Sequence, residues 1–257
     1  MALMAVTSIA VHFDAFQARL PAFHEFFGPQ SWLLLGAVLA VTKVLHELGH
    51  AYACKRFGGE CHEIGILLLV FTPCMYCDVS DSWLLPSKWK RAAIGAAGIY
   101  VETVLASLAT FFWWHSDPGL FNFVCLQVMF ICSVSTLLFN GNPLMRFDGY
   151  YIVSDLLEMP NLQQKAGVVL KRITSRWCLG LKQQDDPFLP QRCRLLFAAY
   201  TVGSFAYRWV IVFSILIFLC NVFEPYGLQA IGYTLAVFSM ASMVGRPLWQ
   251  LVKFVRV

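Results

Sequence analysis

Residues 32–57 form an apolar run of membrane length, and inside it stand His46, Glu47 and His50. About 20 apolar residues cross the hydrocarbon core as a helix. An acid and two imidazoles in such a helix cost several kcal/mol unless they face a polar interior, a partner or a metal. The spacing H-E-x-x-H places His46 and His50 four apart, on one helical face, where both can reach one cation. Glu47 projects from the neighbouring edge of that face, where it can take a proton from a metal-bound water. Imidazole nitrogen suits zinc, and catalytic zinc keeps three protein ligands and one open position. The stretch therefore supplies two ligands and a base, and a third ligand must come from elsewhere.

The rest of the chain excludes an ordinary soluble domain. Of its 257 residues 58% are hydrophobic and only 13% are charged, where soluble domains carry about a quarter. Further apolar windows lie at 92–114, 120–139, 195–222 (interrupted by Arg208) and 228–244. The expected class is an all-α polytopic membrane protein with about five transmembrane helices. One segment departs from it. Ile64 to Val70 is rich in Ile, Leu and Val, and Thr72, Pro73 and Tyr76 follow, which predicts a short β-hairpin or re-entrant loop. Its edge could pair with an unwound peptide by strand addition, or the segment could be a packed connector.

The chain divides into an N-terminal interfacial segment, 1–31; a membrane core, 32–160; a basic segment, 161–194; and C-terminal transmembrane helices, 195–257. The basic residues cluster at 55–56, 88–91, 146–194 and 246–256, whereas the turns at 115–119 and 223–227 have none. By the positive-inside rule the first set is cytoplasmic and the amino terminus lies outside. Nine cysteines are scattered, mostly in apolar runs, where Cys acts as a small hydrophobe. Cys74 and Cys77 form one C-x-x-C without a matching pair, a weak metal or redox signal.

Candidates for the third ligand are Cys54, Asp78, Asp81, Glu102, Asp148 and Asp155. Asp148 is the best of them. It lies just past the cytoplasmic end of the third span, with Asn140, Asn142 and Pro143 as a polar lead-in and Gly149 behind it. Such a polar break at a span end marks a functional site more readily than a lipid-facing surface.

Taken together, His46–Glu47–Leu48–Gly49–His50, Asn140-x-x-Pro143 and Phe147–Asp148–Gly149 resemble the site-2 protease family of intramembrane zinc metallopeptidases. Both motifs match in order and spacing, over residues 32–160. The stretch Arg146–Phe147–Asp148–Gly149–Tyr150–Tyr151 resembles a bacterial branch of peptide zinc metalloproteases. The resemblance implies a three-helix core in the bacterial inner membrane and one Zn2+ per chain, bound by His46, His50 and Asp148. It implies that Glu47 activates water and that Asn140 orients substrate or helps stabilise the oxyanion. The implied substrate is a membrane-embedded or membrane-associated peptide; the bilayer is the other partner, and nucleic acid is not expected.

Two departures stand out. Phe147 replaces a common Leu, and Gly98 is followed by Glu102 where the family often has Gly-x-x-x-Asn. An acid in place of an amide changes what that point offers a substrate backbone. Two rival readings remain at this stage. One is a non-catalytic zinc-binding component of a peptide export or maturation system. The other is a zinc-dependent membrane oxidase or hydroxylase, which needs more His than His12, His24, His62 and His115 provide.

Overall fold

Helix α4, Pro29–Arg56, carries a buried stripe at Val38, Thr42, His46, His50 and Cys54, one residue every turn. Pro29 opens the helix at its first position, where its missing N–H costs nothing. Gly58, at φ +94°, ends it in the left-handed region that only glycine adopts without strain. In this computed structural model the described residues are 1–69, 72–179, 194–227 and scattered positions from 230 to 249. Side chains are described for these except at 68–69, 72–74, 178–179 and 194.

Three short helices precede α4: α1 (Ala2–Val11), α2 (Phe13–Arg19) and α3 (Phe23–Phe26). After it come the antiparallel strands β1 (Ile64–Leu69) and β2 (Thr72–Cys77), paired Ile64 to Cys77 through Leu69 to Thr72. Then follow α5 (Lys88–His115), α6 (Leu120–Val134), α7 (Asp148–Leu156), α8 (Leu162–Leu179) and α9 (Arg194–Phe223).

Four segments are long and apolar enough to cross a membrane: Pro29–Arg56, Lys88–His115, Leu120–Asn140 and Leu195–Tyr226. They match the four sequence windows up to residue 222. The fifth window, 228–244, lies largely outside the described residues. The protein is an integral membrane protein, built mainly of helices with one small hairpin at the position the sequence predicts.

Two clusters hold the helices. At one end, Phe26, Trp113, Cys125, Leu126 and Met129 pack together, with Ile9 and Phe16 against them. The N-terminal segment, expected along an interface, thus also docks on α5 and α6; Arg19 lies over the Trp114 ring at 5.6 Å. At the other end, Tyr150, Leu162, Ala166, Val169 and Phe197 join α7, α8 and α9. Part of the basic segment is therefore an amphipathic helix with a buried face.

The third span does not end as an α-helix. Residues Ser135–Asn140 adopt π-helical geometry, and the Gly141 N–H donates to Thr136 O, five residues back, at 2.7 Å. A π-turn holds one residue more than an α-turn and recurs at functional sites. Here it brings Ser135 and Asn140 within 3.2 Å of each other, Oγ to Nδ2.

Helix α7 is short, but its position is well fixed. Arg91 of α5 donates to Asp155 at 3.3 Å and to Leu85 O at 2.7 Å, and Lys88 reaches Leu156 O at 3.4 Å. Gly95 gives room for Ile152, to which a Cβ would come within 3.2 Å. These contacts hold the first residue of α7, Asp148, at a set depth beside α4.

Candidate active site

The α4 stripe and the α7 start converge on one point. His46 Nε2 lies 3.1 Å from Asp148 Oδ2, His50 Nε2 lies 3.5 Å from it, and the two Nε2 atoms are 3.2 Å apart. Bonds of about 2.0–2.1 Å at tetrahedral angles put zinc ligand atoms about 3.3–3.4 Å apart. The observed triangle thus has the dimensions of one face of a zinc tetrahedron. His46 and His50 are 4% and 7% exposed, while the Asp148 side chain is 20% exposed. The remaining direction therefore opens on the Asp148 side.

The buried Asp148 Oδ2 makes no directed hydrogen bond, as suits an oxygen whose lone pair is meant for a cation. Burial opposes ionisation of Asp148, but its contacts with His46 and His50 outweigh this and hold the carboxyl down to about 2. It is therefore a carboxylate near neutral pH and competent as a ligand.

Each imidazole is oriented from behind. His50 Nδ1 donates to Ile94 O at 2.8 Å, which fixes the proton there and turns the Nε2 lone pair to the triangle. His46 Nδ1 sits 3.1 Å from Glu102 Oε1. Both contacts require the rings to lie almost on the α5 backbone. Gly98 allows this: a Cβ at that position would come within 2.4 Å of His46 Cε1 and Nε2 and 2.5 Å of His50 Nε2. Gly98 is a site residue that the sequence reading noted only as part of a motif.

Glu47 is partly exposed on the same helix. The charges that act on it are those of His46, His50, Asp148 and Lys43, so it stands beside the triangle. Its carboxylate carries no hydrogen bond among the described residues. The hairpin flanks it, since the Cys77 thiol at the end of β2 lies close enough to feel Glu47. Burial, with the Cys61 thiol 3.2 Å away, pushes Cys77 up to about 12. Cys77 is therefore a neutral thiol, unlike a metal-bound thiolate.

The other ligand candidates are engaged elsewhere. Cys54 Sγ faces Glu60 O at 3.5 Å, Asp78 accepts from Ser80, Asp81 pairs with His62 at 3.1 Å, and Asp155 pairs with Arg91. Glu102 touches the far nitrogen of His46. Of the six candidates, Asp148 meets both Nε2 atoms. Asn140 is 6% exposed and donates through Nδ2 to both oxygens of Glu102, at 3.2 Å each. The structure thus places it beside the site, with its donor turned to Glu102 and its Oδ1 left over.

A model of peptidase family M50 matches residues 34–117, the stretch from α4 through α5. A curated relative named "Putative peptide zinc metalloprotease protein YydH", from Bacillus subtilis (strain 168), is 27% identical over 135 residues, 52% of each chain. Both matches support the site-2 protease family over this part of the chain. The chain spans about half the length of that relative. No solved structure matches it. The metalloprotease family that it resembles implies a zinc cofactor, and the donor set of two imidazoles and a carboxylate suits that ion. The family match covers both histidines, Glu47, Gly98 and Glu102 but ends before Asp148. It is the geometry that adds Asp148 to the two histidines.

Proposed function

We propose that the protein is an intramembrane zinc metalloendopeptidase that hydrolyses peptide bonds of membrane-embedded or membrane-associated peptides. The observation that supports it best is the buried triangle of His46, His50 and Asp148 with Glu47 beside it. When bound, zinc lowers the pKa of a coordinated water to about 7 and polarises the substrate carbonyl.

The protein's own groups then have distinct tasks. His46, His50 and Asp148 hold the cation. Glu47 accepts the proton of the attacking water and returns it to the leaving amine. Asn140, whose Nδ2 is engaged by Glu102, orients substrate through its free Oδ1, which can accept from a backbone N–H. Oxyanion stabilisation by its amide would require Nδ2 to leave Glu102. An apolar cavity of about 330 Å3, lined by Leu39, Phe130, Val134, Phe139 and Phe147, adjoins Lys43 and Asn140. It has room for an apolar substrate side chain. Helical peptide bonds are shielded, so the substrate unwinds locally before attack. The exposed apolar residues of β1, Ile64 and Ile66 among them, offer an extended partner for it.

By the positive-inside rule the basic ends of the spans support a site toward the cytoplasmic side, and the resemblance to the bacterial branch supports the inner membrane. From Lys88 at the start of α5, Gly98 is ten residues in, about 15 Å along the helix. The site therefore lies below the lipid surface but within reach of water from that end.

The test is made on purified protein in proteoliposomes. About one zinc per chain and cleavage of a helical membrane peptide are expected, both lost in His46→Ala. Zinc binding without cleavage of any membrane peptide would instead support the non-catalytic reading. Zinc retained by His46→Ala would remove the ligand assignment.

A further inference from the structure

Glu102 is 1% exposed in the middle of α5, an acid where membrane depth makes an acid expensive. Every direction around its carboxylate is filled. Oε1 accepts from Lys43 at 2.7 Å, from Ser135 at 3.1 Å and from Asn140 at 3.2 Å. Oε2 accepts from Thr136 at 2.7 Å and from Asn140 at 3.2 Å. Lys43 in turn donates to Ser135. A carboxyl group that only accepts, with an ammonium against it, is ionised. The remaining neighbour of Oε1 is His46 Nδ1 at 3.1 Å, within ion-pair distance; that buried nitrogen makes no aligned hydrogen bond to any group.

We infer that Glu102 is a positioning residue for the metal centre: its carboxylate holds the proton of His46 on Nδ1 and thereby directs the Nε2 lone pair to the cation, while Lys43 balances its charge. This rests on the assignment of His46 as a zinc ligand. The acid at this point of the Gly-x-x-x-Asn pattern is then a change of role rather than a loss. The amide comes instead from Asn140, which the π-turn swings onto the same carboxylate. Lys43 accompanies the change from one turn before His46. A metal-bound imidazole with a carboxylate behind it is a more basic ligand than one without.

The rival is a merely structural Glu102 that ties α4, α5 and α6 together. Thr136→Val separates the two, because it removes a donor from Oε2 and leaves the His46 contact alone. Zinc affinity is read on the full chain in detergent by competition with a chromogenic chelator, and Co2+ is substituted for its visible spectrum. Glu102→Gln should weaken zinc binding 10- to 100-fold and shift the Co2+ bands. Lys43→Gln/Glu102→Gln, which leaves no buried charge unpaired, should do the same. Thr136→Val should stay within about threefold of the wild type while losing thermal stability.

If Glu102→Gln fails to fold, the double variant carries the test. The wild type supplies an independent one: in 15N spectra the zinc-bound His46 should carry its proton on Nδ1, and a bare Nδ1 there overturns the inference. Unchanged affinity and Co2+ spectrum in folded Glu102→Gln or in the double variant overturn it too. His46→Ala tells the two levels apart. If it keeps zinc, the ligand assignment is what fails; if it loses zinc while Glu102→Gln keeps it, only the role of Glu102 fails.

Discussion

Glu47→Gln should bind zinc as the wild type does and lose about 10²- to 10⁴-fold in peptide hydrolysis. The amide has nearly the shape of the acid, and Glu47 is not one of the three groups in the triangle, so the metal stays. What disappears is the group that takes and returns a proton, a contribution of about 10²- to 10⁴-fold. Two measurements check it on one sample: zinc per chain, and the rate of appearance of new amino termini from a membrane peptide. Turnover within tenfold of the wild type would reject Glu47 as the base. Zinc loss would place its carboxylate among the ligands instead.

Gly98→Ala should have the opposite profile, with zinc lost first. By helix propensity alone the change is favourable, because Ala is better than Gly by about 1 kcal/mol in a helix interior. The local geometry overrides this. The new methyl would sit 2.4 Å from His46 and 2.5 Å from His50 Nε2, closer than carbon and nitrogen pack. One of the rings or α5 itself must move, at a cost of about 1–3 kcal/mol by analogy with overpacked cores. Either movement breaks a triangle whose edges already match zinc.

Zinc affinity should therefore fall by about 5- to 150-fold. The control is Gly36→Ala on α4, where nothing lies within 4 Å of the added carbon; it should keep full zinc and the same or slightly higher stability. Equal zinc affinity in Gly98→Ala and Gly36→Ala would mean that α5 does not back the histidines as described.

What the sequence discloses and what it hides divide along physical lines. His46, Glu47 and His50 are legible because a helix converts their spacing directly into a face. Asp148 is legible because Asn, Pro and Gly at the end of an apolar run announce a break in the span. The four apolar windows up to residue 222 are likewise read from composition and length, and the hairpin from β-branched content next to Pro73. Glu102 could be noticed as an anomaly, but its partners could not be named. Lys43, Ser135, Thr136 and Asn140 come from two other helices, and local periodicity carries no information on which faces meet. The closeness of Gly98 to the imidazoles is hidden for the same reason. The buried side of α8 was masked by its lysines and arginines, whose charge dominates a hydropathy reading even where Leu162, Ala166 and Val169 keep helical spacing.

The π-turn at Ser135–Asn140 bears on how freely this chain could change length. An α-helix turns about 100° for each residue. Were one residue of that turn removed, a regular helix would form, and the segment after it would emerge rotated by that angle. Asn140 would leave Glu102, and the strand of chain leading to Asp148 would start from the wrong side of the bundle. The end of the third span is thus constrained in number as well as in kind, and it should tolerate substitution more readily than insertion or deletion.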